Sequence, residues 1–264
     1  MQHGMQLRSA HRDEGPMGGG VSQFAAEVVA RLVLRDGQDE AGLREALLQR
    51  FIAAISSSDP AAFEALKPEL KRARISATAL ADCYIPEAAR RLGEAWEDDS
   101  MSFASVTMGV ARMQAILREI GTTWSADSMG HSVGPTLLVI LPQGEQHTLG
   151  ALVLVGRLRR MGVSVSMRIA PSLADLARYV AERTFDGALI SIASNDRLET
   201  CRAVVKTLKE ARTSGMKVAV GGAIRDSAES VMQATGADLV TNDIIEALAG
   251  MGLLVDGSPV LELS

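Results

Sequence analysis

The chain has 264 residues, 47% of them apolar and 3% aromatic, with a formal net charge of -5. That length suits two domains, and Ala, Leu, Val and Met, which dominate the apolar fraction, are the packing residues of helical and α/β cores. Lys plus Arg number 14 against 18 Asp plus Glu over residues 1–134 and 13 against 14 beyond, so neither half has the basic surplus of a long nucleic-acid footprint.

Cys83 and Cys201 lie far apart, make no metal-type spacing, and are few enough to fit a reducing cytoplasm. No apolar run approaches the roughly 20 residues needed to cross a bilayer, and the first residues lack the order of a secretory signal. The expected location is the cytoplasm. Residues 1–20 are polar and Gly-rich without a period and read as disordered, so His3 and His11 receive no role.

Residues 21–127 read as helical throughout, a bundle of four or five helices broken at Gly37 and Asp59-Pro60. Pro86 should kink a helix or begin a new one. The clearest pattern follows Ser102. Phe103, Val106, Val110, Met113, Leu117, Ile120 and Trp124 recur at three- and four-residue steps and share one helix face. The basic run at 67–74 contains Pro68 and Glu69 and reads as a solvated helix face.

Residues 128–135 are small, polar and turn-forming, a linker. From 136 to 264 short apolar runs alternate with amphipathic segments. Strands are expected at 136–141, 163–169, 187–193, 216–220 and 237–240, with helices near 148–161, 172–183, 196–214, 225–235 and 243–253. Such alternation implies a doubly wound parallel sheet covered on both faces, and the flavodoxin-like order 2-1-3-4-5 suits five strands. The fold class is therefore an N-terminal helical bundle, acting as a cap, followed by a five-stranded flavodoxin-like α/β domain. Ligands of these sheets bind at the strand carboxyl ends, where the strand order reverses, and the loop after the first strand lies there.

That loop, residues 142–150, carries His147. The ordinary reading is a solvated histidine beside a helix N-terminus, with Glu145 as a favourable N-terminal charge. The alternative is a metal ligand. A carboxyl two residues earlier can accept the Nδ1 proton and leave Nε2 to ligate, and Gly150 leaves room at the helix start.

The string Glu145-Gln146-His147-Thr148-Leu149-Gly150 resembles the acidic-x-His-x-x-Gly signature of the methionine-synthase-like cobalamin-binding family, with Glu for the commoner Asp. That resemblance implies that His147 is the lower cobalt ligand. It also implies that Ser191, at the end of the third strand, contacts the buried base, and that Gly221-Gly222, after the fourth, let the nucleotide tail approach the backbone. Ile192-Ala193 departs from the family's usual Leu in that stretch. Alone, a strand-end Ser reads as a helix cap and Gly-Gly as turn chemistry.

The helical half is similar to the cap that covers the upper corrin face in such proteins, with Leu92-Gly93 and Trp96 in place. Trp96 reads equally as a cofactor-packing residue and as core. Cobalamin light sensors of the CarH type carry Glu-His ten and eleven residues after that Trp, whereas Val106 and Thr107 stand here, so an upper histidine is missing. Met101, Met108 and Met113 read as core, and His131 as a solvated linker residue. The residues before Val21 are too few for a winged helix, so no DNA-reading module is expected before the bundle. Cap, Glu-x-His-x-x-Gly and no such module together resemble the AerR/PpaA-type antirepressors of photosynthetic bacteria. The resemblance implies a cobalamin-dependent, light-responsive regulator, not an enzyme, that binds a PpsR/CrtJ-like repressor without reading bases itself. A corrinoid methyl carrier of a methyltransferase system, or a haem-binding redox sensor using His147, are the alternatives.

Overall fold

The computed structural model describes residues 43–127, 134–211, 215–222 and 226–253. The expectations for residues 1–20, Gly37, His131, most of the linker and the side chain of Trp124 lie outside them.

The helical half holds α1 (Glu45–Ser56), α2 (Ala62–Arg72), α3 (Ala77–Ala79), a π-helical turn (Leu80–Tyr84), α4 (Ile85–Glu97) and α5 (Phe103–Asp127). Pro86 resolves in a particular way: α3, the π turn and α4 run on without a gap, and the proline occupies the first turn of α4. Proline lacks the N–H that an α-helical bond would need, and the widened turn before it, where Ile85 N–H donates to Leu80 O, carries the chain into that position. Phe51 stands edge-on to both Phe63 and Tyr84, at 5.9 and 6.5 Å between ring centroids, and these rings are buried with Leu48, Ile55, Ile85 and Leu92. From the predicted α5 stripe, Val106, Met113 and Leu117 are buried and Val110 and Ile120 pack against them. Phe103 departs from it and is 45% exposed, because it begins the helix past the end of the bundle core. The 67–74 run is a solvated surface apart from buried Leu70.

The second half is β1 (Thr136–Leu141), α6 (Thr148–Arg160), β2 (Ser164–Ile169), α7 (Leu173–Ala181), β3 (Gly187–Ser191), a 3-10 turn (Asn195–Arg197), α8 (Leu198–Glu210), β4 (Lys217–Gly221), α9 (Ala228–Thr235), β5 (Leu239–Val240) and α10 (Ile244–Met251). All strand pairs are parallel and the order is 2-1-3-4-5, as the alternation implied. Leu138, Ile140, Ile190, Val218 and Val220 point to a core with α7, α8 and α9, while Leu137, Val139, Leu189 and Ala219 point to one with α6 and α10. Strands buried on both faces read as unbroken apolar runs, which is why β1 is so plain in the sequence. β3 ends earlier than expected, since Ile192 N–H bonds Gly221 O and the chain then turns out of the ladder.

Helix α6 belongs to both halves. Val155 and Leu158 face the sheet, whereas Leu149 and Val153 lie in the bundle's own core. Its start is tied to α5 by Gln114 Nε2 donating to Thr148 Oγ1 at 2.8 Å, and its end to the π turn by an ion pair between Arg160 and Asp82. Gly134, near the end of the linker, lies against Gly162 past the end of α6, so α5 runs alongside α6 in the same direction. The residues of α5 before Gln114 therefore extend about three turns beyond the start of α6. Trp96 and Phe103, 6.4 Å apart between centroids, form the tip of that overhang on the carboxyl side of the sheet. Among the described residues no helix is long and apolar enough to cross a membrane.

Candidate functional site

The loop after β1 opens with a tight turn in which Glu145 N–H donates to Pro142 O at 3.1 Å. Gly144 occupies its third position with φ +81°, a left-handed conformation that glycine adopts without steric cost. The turn carries the Glu145 carboxyl inward until its side chain is 1% exposed. One oxygen of that carboxyl, Oε1, accepts from the His147 backbone N–H at 2.9 Å and also bonds Nδ1 of the same residue. With Nδ1–H directed at Glu145, the ring's lone pair is on Nε2.

His147 is thus neither solvated nor a helix cap. Its side chain is 11% exposed, it stands at the N-cap position of α6, and it makes no side-chain cap bond. Glu145 likewise departs from the surface N-terminal charge of the ordinary reading: as a residue it is 5% exposed. A buried carboxyl held by its neighbour's backbone and ring orients an imidazole.

The other predicted residues lie along the same carboxyl edge, except one. Gly150 is in the first turn of α6, and a Cβ there would meet nothing within 4 Å, so the helix start borders open space. Ser191 ends β3 in register with Gly221 of β4. It is not the cap that a strand-end Ser suggests, since the following turn starts from Ser194 and α8 from Arg197. The Gly-Gly pair has a structural cause of its own. A Cβ on Gly222, at φ +117°, would stand 2.1 Å from Ile192 O, and one on Gly221 would stand 2.7 Å from Thr241 O. Neighbouring backbone therefore demands both glycines before any ligand is considered. Trp96 lies apart from these, half-buried at the overhanging tip of the bundle. Met113 is fully buried and Met101 packs against the bundle core.

Sequence reasoning missed two contributors. Gln114 joins the bundle to the residue after His147, and nothing in a helical stripe marks one polar side chain as a tether. Arg197, in the turn after β3, lies against Gly144; a basic residue just past a strand's carboxyl end was the available signal. Among the described residues no three His, Cys, Asp or Glu side chains gather as a metal site.

Residues 135–249, the whole sheet with its helices except the last two residues of α10, match the B12 binding domain family. Over 186 residues the chain is 46% identical to a protein of Rhodobacter capsulatus described as an uncharacterized 20.5 kDa protein in the bchF-crtJ intergenic region, covering 70% of this chain and 97% of that one. The chain belongs to the family of that protein and carries a B12 binding domain. The shared stretch is longer than the domain and everything after it, so it reaches into the helical bundle, and it places the chain with the AerR/PpaA type. Among solved structures, the monomethylamine corrinoid protein of Methanosarcina barkeri superposes with a TM-score of 0.63 at 13% identity, covering 80% of this chain and 100% of that one. That likeness is one of architecture. A cobalamin-binding protein from Desulfitobacterium hafniense matches with a TM-score of 0.39 at 17% identity, over 76% of this chain and 95% of its own. Nothing in these relationships supports haem.

Proposed function

We propose that the protein holds cobalamin with His147 as the lower cobalt ligand, and that it is a light-responsive antirepressor acting on a PpsR/CrtJ-like repressor. The observation that carries the cofactor reading is the buried Glu145–His147 pair at the first loop of a B12 binding domain. A single oriented imidazole is a poor site for a bare ion but suits a metal that arrives with its equatorial ligands already in place. The residues fit the group. Gly150 borders unfilled space beside His147, and Ser191 places a hydroxyl at the same edge of the sheet.

When bound, cobalamin would supply light-sensitive cobalt–carbon chemistry, and His147 would be the residue that holds its cobalt. The chain's own residues do the rest. Glu145 holds the His147 ring and keeps its proton on Nδ1. Trp96 and Phe103, packed on each other at the tip of the bundle's overhang, would be the residues that close over the group. Helix α6 starts at the residue after His147, shares the bundle's core through Leu149 and Val153, and ends on Asp82 of the π turn. A displacement of His147 is thereby felt in the bundle, whose surface would present the altered face to a partner. The partner is suggested by the relative's gene, which lies beside crtJ. In this reading the chain performs no turnover of its own.

The test is retention of hydroxocobalamin and adenosylcobalamin after desalting, in darkness and after illumination, by wild type and His147→Ala. We expect a light-dependent preference that the variant loses, and a repressor affinity that differs between dark and illuminated protein. Retention of no cobalamin overturns the cofactor reading. Equal repressor affinity in both states overturns the antirepressor reading, and methyl exchange with a methyltransferase would make the chain a corrinoid carrier instead.

A further inference from the structure

Arg197 closes the 3-10 turn after β3 and reaches across to the loop after β1. A Cβ built on Gly144 would stand 2.6 Å from its Nη1 and 3.1 Å from its Cζ, so the guanidinium lies on the glycine of the very turn that carries Glu145 and His147. Gly144 is favoured by its left-handed backbone, and the absence of a side chain there leaves the space in which the guanidinium lies. Arg197 is half-buried, yet among the described residues its guanidinium has no hydrogen-bond or ion-pair partner. Its neighbours Asp196 and Glu199 are exposed and do not pair with it. A guanidinium has five donors and no acceptor, and holding it half out of water without a counter-charge is unfavourable. Helices α6 and α8 both begin at this edge of the sheet, directing the positive ends of their dipoles the same way.

We propose that Arg197 is the anion-binding residue of the cofactor site and takes the phosphodiester of cobalamin's nucleotide tail. The inference rests on the cobalamin reading above. A guanidinium beside a glycine turn can offer two parallel N–H donors to two phosphate oxygens, a geometry that lysine does not reproduce. Arg197 then selects complete corrinoids, with the nucleotide tail attached, over ones that lack it.

The experiment is a binding cycle with the full chain. Affinities of wild type, Arg197→Ala and Arg197→Lys are measured by absorption titration for hydroxocobalamin and for aquacobinamide, which lacks phosphate, ribose and base. We expect Arg197→Ala to lower cobalamin affinity at least about tenfold while changing cobinamide affinity less than about twofold, with Arg197→Lys between them. The absorption band of the imidazole-ligated state should be unchanged in both variants, which shows the His147 loop intact. Equal losses for both corrinoids would mean that Arg197 only buttresses the Gly144 turn, and no loss for either would mean that it is a bystander; each overturns the proposal while leaving cobalamin binding standing. Wild type that binds neither corrinoid overturns both readings together.

Discussion

Gly150 and Gly222 lie along the same carboxyl edge of the sheet, and both belong to strings that resemble a cobalamin signature. Around Gly150 nothing beyond its chain neighbours and the helix's own backbone lies within 4 Å of the place a Cβ would take, whereas at Gly222 that place is 2.1 Å from the carbonyl oxygen of Ile192. The β1 side of the edge is open and the β4 side is closed by the chain's own backbone. Two glycines with similar motif value therefore differ physically: the first borders open space beside the helix start, and the second is needed by the fold whether or not a ligand is present.

The largest effect that would sharpen this contrast is expected from Gly222→Ala. A Cβ in a left-handed backbone, driven into a carbonyl, should cost about 3 kcal/mol or more in urea unfolding. Gly150→Ala should do the reverse, raising stability by up to ~1 kcal/mol through helix propensity while reducing cobalamin retention. Similar stabilities for the two variants would break the comparison. The next effect concerns the joint between the halves. Asp82 and Arg160 have side chains 18% and 17% exposed, and Asp82→Asn, which leaves Arg160 without its carboxylate there, should cost about 2 to 3 kcal/mol by the same assay.

The closed side also hides Cys201, whose thiol burial pushes up to about 12 from an ordinary 9.0. The native thiol then stays neutral where the unfolded one ionises. Its contribution is complete below pH 9 and fades as pH rises from there toward 12, a loss of ~1.4 kcal/mol at pH 10. Unfolding of wild type and Cys201→Ala at pH 8 and pH 10 isolates it, and an equal pH response in both would show that the thiol is not so protected. The smallest change in stability is expected on the open side. Glu145→Gln keeps an acceptor for His147 and should shift unfolding by less than ~1 kcal/mol, yet lower cobalamin affinity about tenfold.

Much of this was legible before any coordinates. The apolar runs at β1 and β3 announced buried parallel strands, and Glu145-x-His147 in the first loop stood where a ligand site of such a sheet belongs. Ser191 could be placed at a strand end, but whether it caps a helix depends on where the next turn begins, and that turn starts at Ser194. The Gly221-Gly222 pair was legible as a motif, but a sequence does not show that Ile192 and Thr241 carbonyls also crowd it from other strand ends. Phe103 fitted a helical stripe by spacing, yet a stripe does not tell where the core beneath it stops.

Local chemistry, written in one stretch of chain, was therefore fixed by the sequence alone: the alternation of strands and helices, the glycine turn at Gly144, and a carboxyl two residues before an imidazole. The tertiary structure decided everything that joins distant stretches. It buried Glu145 and His147 together, laid Arg197 from the β3 turn upon Gly144, and put one face of α6 into the bundle core. Periodicity and turn propensity act over a few residues, whereas burial and contact between separate loops exist only once the sheet has brought their strand ends side by side.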